Sequence, residues 1–196
     1  MDIVELKEID EESRKRLLEL LHSLGPPPID VVIIGAESNR LETGDVYVLH
    51  VSLPVDPYRV LREVAVAHAL TDPQLLETWS IPPELRPDEL AYELSVAMLM
   101  RVADFLVARV RPDLVVEKNS PEVVEGETLT STIVRTLAVD ISISLALAGH
   151  MGPALQILNK YSTHPAYDVY RRFWEFALSN FKFLSLYNWL LFSLVH

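Results

Sequence analysis

The chain has 196 residues, which is enough for one compact domain or two small ones. It has no cysteine, so disulfides and thiolate metal sites are excluded, and its net charge of −11 disfavours nucleic-acid binding through phosphate neutralisation. The hydrophobic content of 49% predicts extensive burial in packed elements or in an oligomer.

The chain is expected to begin with a helix over residues 10–24. Asp10 is placed to cap this helix, and five leucines form an apolar stripe along it. Gly25, followed by three prolines, is a strong stop signal.

Two strands are expected next, over residues 29–35 and 45–53. Both segments are β-branched and apolar without strict alternation, which predicts burial on both faces. Residues 55–73 then predict a helix, with Asp56 as its cap, Pro57 in its first turn and Asp72-Pro73 as its end.

The remaining elements are expected to be mostly helical. Residues 74–81 favour a short strand closed by two prolines, with one helical turn as the alternative. A long amphipathic helix is expected over 86–112, and a connection with a short extended piece at 114–117 fills 113–127. Three further helical regions are expected, the last of them broken near Asn180 or Asn188: 128–148, 152–161 and 166–194.

Taken together, these elements predict an α+β fold. A small N-terminal mixed sheet with flanking helices occupies residues 1–85, and a helical bundle occupies residues 86–196.

No membrane span is expected in this chain. Residues 141–159 carry no formally charged side chain, but glycines and a proline interrupt them midway, so each half is too short to cross a bilayer of roughly 30 Å. The charged start of the sequence does not fit a secretory signal or a transit peptide. We therefore expect a cytoplasmic protein, and two glutamines, 13 prolines and no cysteine are typical of a heat-adapted source.

The order of elements around residues 29–52 bears on function. Gly35 and Ala36 end the first expected strand, Asp45 begins the next one, and Glu77 lies in the third expected strand. This arrangement resembles the small nucleotidyltransferase fold of the minimal, kanamycin-type and polymerase-beta-like families. In that fold a strand ends in Gly-Ser, the next strand presents Asp-x-Asp, and a third acidic residue follows on a later strand.

The resemblance implies a site for a nucleotide and Mg²⁺ built from Gly35, Ala36, Asp45 and Glu77. Two carboxylates that are two residues apart on a strand point to one face and can hold metal ions. Here Ala36 lacks the serine hydroxyl, and Tyr47 replaces the second carboxylate. The resemblance therefore implies a nucleotide-binding or regulatory protein with impaired catalysis; the alternative is that the glycines only punctuate a strand–loop–strand segment.

A second candidate site lies on the helix expected over residues 55–73. His68 and Asp72 are four residues apart and share a helix face, as two metal ligands of a zinc hydrolase would. A capping or hydrogen-bonded pair near the helix end is the alternative.

Residues 166–196 hold the densest aromatic cluster of the chain. Its side chains fit the core of the bundle, or an apolar face that is presented to a second subunit or to a protein partner. Three function classes follow: an impaired nucleotidyltransferase-like protein, an interaction protein that oligomerises through these helices, and an uncharacterised hydrolase. The sequence favours a protein that is not an enzyme.

Overall fold

A computed structural model describes residues 5–116 and 128–194, with side chains from residue 8 onward. The chain forms two compact units, Met1–Leu76 and Glu77–His196. The predicted fold class, a small mixed sheet with flanking helices followed by a helical region, is confirmed. Within the described ranges, none of the helices has the length and apolar character needed to cross a bilayer.

The first unit is a four-stranded sheet with two long helices. Its elements in chain order are β1 (Glu5–Lys7), α1 (Glu11–Leu24), β2 (Val31–Ala36), β3 (Arg40–Glu42), β4 (Tyr47–Ser52) and α2 (Pro57–Thr71). The strand order across the sheet is β1-β2-β4-β3. β1, β2 and β4 are parallel, whereas β3 runs antiparallel to β4 at the edge.

The predicted helix caps of the first unit are confirmed. The Asp10 carboxylate accepts a hydrogen bond from the Ser13 amide at 2.9 Å, and that of Asp56 accepts one from the Arg59 amide at 3.2 Å. Gly25 ends α1 at φ +77°, a left-handed conformation that glycine adopts without strain.

The core of this unit lies on one face of the sheet. Alternate strand residues and the inner faces of both helices are buried together: Leu17, Leu20, Val31, Ile33, Leu49, Val51, Val60, Leu61 and Val64. The opposite face of β2 is only half-buried, so the prediction that this strand is buried on both faces is wrong. Successive side chains of β2 do alternate between the core face and the outer face of the sheet. Valine and isoleucine occupy positions on both faces, so the sequence does not show this alternation.

The segment predicted as a strand over residues 74–81 is instead a helix, α3 (Pro73–Trp79). Asp72 ends α2, and its carboxylate also accepts a hydrogen bond from the Gln74 amide at 2.8 Å. Pro73 occupies the first helical position, where its missing amide hydrogen costs nothing. The Asp-Pro pair that begins α2 is thus repeated at the start of α3.

The second unit is helical within its described residues. After a short 3-10 turn (Pro83–Leu85), it contains α4 (Glu89–Val110), α5 (Pro112–Val116), α6 (Leu129–Val139), α7 (Ser142–Leu147), α8 (Met151–Lys160), α9 (Tyr167–Ser179) and α10 (Phe183–Ser193). The expected break near Asn180 is confirmed, whereas Asn188 lies inside α10.

Two predictions in this unit are wrong. Residues 114–116 are helical rather than extended, and residues 117–127 lie outside the described residues. The helix expected over 128–148 is divided at Asp140, which ends α6; its carboxylate accepts a hydrogen bond at 2.7 Å from the amide of Ser142, the first residue of α7.

Candidate functional site

Gly35 lies inside β2 rather than in a free loop. It pairs with Val51 of β4, and the chain of Glu8, just after β1, passes directly against it. A Cβ atom at Gly35 would lie 2.8 Å from the Glu8 carbonyl oxygen, a distance at which one of the two backbones has to move. The close approach of these strands accounts for the glycine without a bound phosphate.

Asp45 lies at the other end of the same sheet. Because β2 and β4 are parallel, Gly35 is level with Val51, and Asp45 precedes Tyr47 at the start of β4. The four residue-to-residue steps from Tyr47 to Val51 alone span about 13 Å. Gly35 and Ala36 are therefore separated from Asp45 by the length of the strands, and the expected joint site is not formed by these residues.

The polar stretch between β2 and β4 contains a strand of its own. β3 forms a hairpin with β4, and Gly44 and Asp45 lie in its turn. The Asn39 side chain, just before β3, binds Ser52 at the end of β4. Its Nδ2 donates to the Ser52 hydroxyl at 2.7 Å, and its Oδ1 accepts from the Ser52 amide at 3.1 Å. The segment expected to be strand–loop–strand therefore contains three strands. β2 and β4 are parallel neighbours, and β3, which lies between them in the sequence, pairs antiparallel with β4 at the sheet edge.

A surface cleft lies beside Asp45 at the amino-terminal ends of β2 and β4. Its volume is about 400 Å³, and it is lined by Pro27, Pro28, Ile29, Asp30 and Asp45. Both carboxylates are exposed to solvent. Two solvated carboxylates are fewer than the three ligands of a usual protein metal site. Across residues 5–116 and 128–194, no group of three or more His, Asp or Glu side chains is arranged to hold a metal ion.

Glu77 lies on α3, not on a third strand. Its side chain is exposed on the helix surface. The structure therefore gives this residue a helical position that the resemblance does not anticipate.

His68 and Asp72 have separate roles at the end of α2. His68 Nε2 lies 3.2 Å from the Gly25 carbonyl oxygen and thereby links α2 to the end of α1. Burial lowers the pKa of His68, although the Gly25 contact and the nearby Asp72 charge oppose that shift. Asp72 caps α3, so the alternative of a capping and hydrogen-bonding pair describes both residues.

A buried polar network that the sequence analysis did not identify lies in the second unit, at the junction of α6 and α7. The Asp140 carboxylate accepts from the Ser142 amide and hydroxyl, both at 2.7 Å, and from the Tyr170 hydroxyl at 2.5 Å. The Trp174 indole donates to the Ser142 hydroxyl at 2.8 Å. Burial raises the pKa of Asp140 despite these hydrogen bonds, and the pKa of Tyr170 is raised by its own burial and by the Asp140 charge.

The same region contains a buried ion pair. Arg101 Nη2 lies 2.7 Å from Asp104 Oδ2, Nη2 also donates to the Ala138 carbonyl at 3.2 Å, and both charged side chains are almost fully buried. The Ser144 hydroxyl donates to the Arg101 carbonyl oxygen at 2.7 Å. These bonds join α4, α6 and α7, and the buried arrangement is that of a structural network, although Nε and Nη1 of Arg101 are buried without a partner among the described residues.

A small cavity beside this network is too small for a substrate. Its volume of about 10 Å³ is room for a single water molecule. His164 lines it: Nδ1 accepts from the Ala166 amide at 2.9 Å, so neutral His164 carries its proton on Nε2. That nitrogen is buried without an acceptor among the described residues.

One surface of the second unit is unusually apolar. α10 contains no charged residue, and its inner side chains Phe183, Leu186, Tyr187 and Leu190 are buried. On the opposite side, Leu184 is 51% exposed, Leu191 38% and Phe192 68%. With the exposed Asn188, these three residues form what we call the outer face of α10. The expected aromatic cluster of residues 166–196 therefore supplies both bundle core and exposed surface.

Comparisons with protein-family models, with curated proteins and with solved structures find no match to this chain.

Proposed function

We propose that this chain is an interaction protein that binds an apolar partner through the outer face of α10. One observation carries the proposal: α10 has no charged residue and is mostly apolar, yet only its inner side is covered by the rest of the unit, and Leu184, Leu191 and Phe192 are exposed. A helix whose apolar residues extend well beyond its buried side is typical of an element that a further surface covers. The outer face provides the apolar contact area, and a bound partner would remove this area from solvent.

The outer face is presented on a firmly held helix. The Tyr187 hydroxyl donates to Asp88, the cap of α4, at 3.1 Å. Trp189 packs edge-on against Phe173 of α9, with 5.2 Å between ring centroids. Because its inner side is anchored in this way, α10 loses little conformational freedom when its outer face is covered, which favours binding.

Two of the other exposed apolar residues in this unit differ in their setting. Tyr92 and Val96 lie on α4, which also exposes the charged Glu89 and Glu93. Single apolar side chains among charged neighbours are ordinary on protein surfaces. The outer face of α10 has no such charged neighbours on its own helix.

Site-specific photo-cross-linking in cells of the organism that encodes this protein tests the proposal. A benzophenone amino acid at Leu191 reports on the outer face, and the same amino acid at Gln156, exposed on α8, is the matched control. We expect an adduct of defined mass from position 191 and none from position 156. No adduct from position 191, or equal adducts from both positions, would contradict the proposal.

A further inference from the structure

We propose that the small cavity beside the Asp140 network is the binding site of one ordered water molecule. This water accepts a hydrogen bond from His164 Nε2 and donates to the hydroxyl oxygens of Thr136 and Tyr170. It thereby connects the turn at residues 161–166 to α6 and α9.

The size of the cavity limits its occupant to a molecule as small as water. Its volume of about 10 Å³ has room for one water molecule and for no second one. Internal water in proteins is held by two to four polar groups at the cavity wall. Six of the eight lining residues carry a hydroxyl or imidazole group: Thr132, Thr136, Tyr161, His164, Tyr167 and Tyr170.

His164 supplies a buried donor at the wall of this cavity. Its Nδ1 accepts from the Ala166 amide at 2.9 Å, and an amide nitrogen only donates, so the neutral ring carries its hydrogen on Nε2. Nε2 is shielded from bulk solvent and has no acceptor within residues 5–116 and 128–194. A buried N–H without an acceptor is destabilising, and nearly all such groups in folded proteins bond to protein atoms or to ordered water.

The two hydroxyls that we assign to the water are acceptors. The Thr136 hydroxyl already donates to the Thr132 carbonyl at 2.7 Å, and the Tyr170 hydroxyl donates to Asp140 at 2.5 Å. A hydroxyl has one hydrogen and two lone pairs, so both oxygens can still accept. One donor and two acceptors complement a water molecule, which accepts at its oxygen and donates two hydrogens.

The same pattern does not suit an ion. A cation would face the hydrogen on His164 Nε2, and an anion would face two hydroxyl oxygens whose hydrogens are donated elsewhere. The site therefore requires a neutral molecule that both accepts and donates, and the cavity volume selects water.

The water completes a chain of hydrogen bonds that ends at a carboxylate. His164 donates to the water, the water donates to Tyr170, and Tyr170 donates to Asp140. Hydrogen bonds that run in one direction through such a chain polarise and strengthen one another. The water therefore extends the buried network of the second unit from Asp140 to the turn before α9.

A high-resolution crystal structure of the purified full chain tests the site directly. We expect one water oxygen within about 3.2 Å of His164 Nε2. A cavity without electron density would overturn the inference. An anomalous bromide peak at this position, in crystals grown with bromide, would overturn it as well because the occupant would then be an anion.

NMR spectroscopy of the full chain supplies a test in solution, at about pH 8, where an ordinary histidine is neutral. We expect a visible Nε2–H signal from His164 with a cross-relaxation peak to a long-lived water. The exposed ring of His22 on α1 is the matched control, and its N–H should exchange too fast to be seen. A His164 signal without a water peak refutes the site, since the cavity is then dry. A His164 signal lost to exchange like that of His22 also refutes it, since Nε2 then meets bulk solvent.

Two threonine-to-valine variants test the assigned acceptor. The hydroxyls of Thr136 and Thr71 each donate to the carbonyl four residues earlier at 2.7 Å, but Thr136 lines the cavity and Thr71 lies on α2 of the first unit. We expect Thr136→Val to shorten the residence time of the internal water, measured by oxygen-17 relaxation dispersion, at least about tenfold, because the water loses a hydrogen bond. Thr71→Val should leave the residence time unchanged, and equal residence times in the two variants would overturn the inference.

Discussion

The contact between Gly35 and the Glu8 carbonyl allows a sharp stability prediction. In Gly35→Ala the new methyl group would lie 2.8 Å from a backbone oxygen, against an ordinary contact of about 3.4 Å or more, so β1 and β2 must separate locally. Overpacking of this kind costs about 1–3 kcal/mol, and the lower entropy of the unfolded alanine chain returns about 0.4–1 kcal/mol. We expect a net loss of about 1–2 kcal/mol in the free energy of unfolding of the first unit.

Gly44→Ala is the matched control for this substitution. Its new methyl group would lie 3.6 Å from the Val46 carbonyl oxygen, an ordinary van der Waals contact. The expected effect is neutral, or stabilising by up to about 1 kcal/mol. The two glycines flank the polar stretch to which the resemblance assigns a nucleotide site. Because both variants are measured without nucleotide, a difference in their stability reports on strand packing and not on ligand binding.

Native-state hydrogen exchange is the suitable assay for this pair. The three tryptophans, Trp79, Trp174 and Trp189, all belong to the second unit, so their fluorescence is a poor probe of the first. Exchange of the β2 and β4 amides gives the opening free energy of the sheet directly. Equal opening free energies in the two alanine variants, within about 0.3 kcal/mol, would refute the packing explanation of Gly35.

Three further predictions concern buried or half-buried polar groups. Trp174→Phe removes the indole donor to Ser142, and we expect a loss of about 1–3 kcal/mol in urea unfolding; a loss below about 0.5 kcal/mol would show that this bond matters little. Because burial raises the pKa of Asp140 above its unfolded value, wild-type stability should fall as pH rises from about 4 through the folded pKa. Asp140→Asn should lack that decline in urea unfolding followed across pH, and an identical decline in both proteins would contradict the assignment. Because the pKa of His68 is lowered in the folded chain, wild-type stability should fall as pH drops through about 6.5 towards that pKa. His68→Gln should reduce this dependence in thermal unfolding, and an unchanged pH profile would count against the lowered pKa of the half-buried imidazole.

The local signals of the sequence predicted much of the first unit. Asp10, Asp56 and Gly25 mark helix ends through their own side chain or backbone, and all three act as expected. Asp72-Pro73 carries the same signal as Asp56-Pro57, but its position after an expected helix made it look only like a stop. The helix of residues 73–79 was therefore missed although its start was visible.

The geometry of the sheet was not accessible from local patterns. Whether β2 and β4 run parallel or antiparallel decides whether Gly35 and Asp45 meet, and strand direction depends on how β3 inserts at the edge. The tight contact at Gly35 comes from Glu8, 27 positions away in the chain. Long-range pairing of this kind leaves no periodic trace in a single sequence.

The buried network of the second unit was missed for a related reason. Asp140 and Ser142 lay inside the single helix expected over 128–148, and Tyr170 and Trp174 belonged to the aromatic cluster of residues 166–196. Only the packing of α9 against α7 brings the two pairs together. The apolar excess of α10 was visible in its composition, but which side of it is exposed depends on how the helices pack.

Hydroxyl-radical footprinting of Phe192 tests the central claim, that the outer face of α10 is covered by a partner, most directly. Phe192 is 68% exposed and Tyr92, on α4, is 63% exposed, so the two aromatic rings form a matched pair within one molecule. If the outer face is a binding surface, Phe192 is protected relative to Tyr92 in cells of the source and regains its reactivity once the purified protein is diluted. If oxidation of both rings follows their similar exposure under both conditions, the outer face is free surface and the proposed function is wrong.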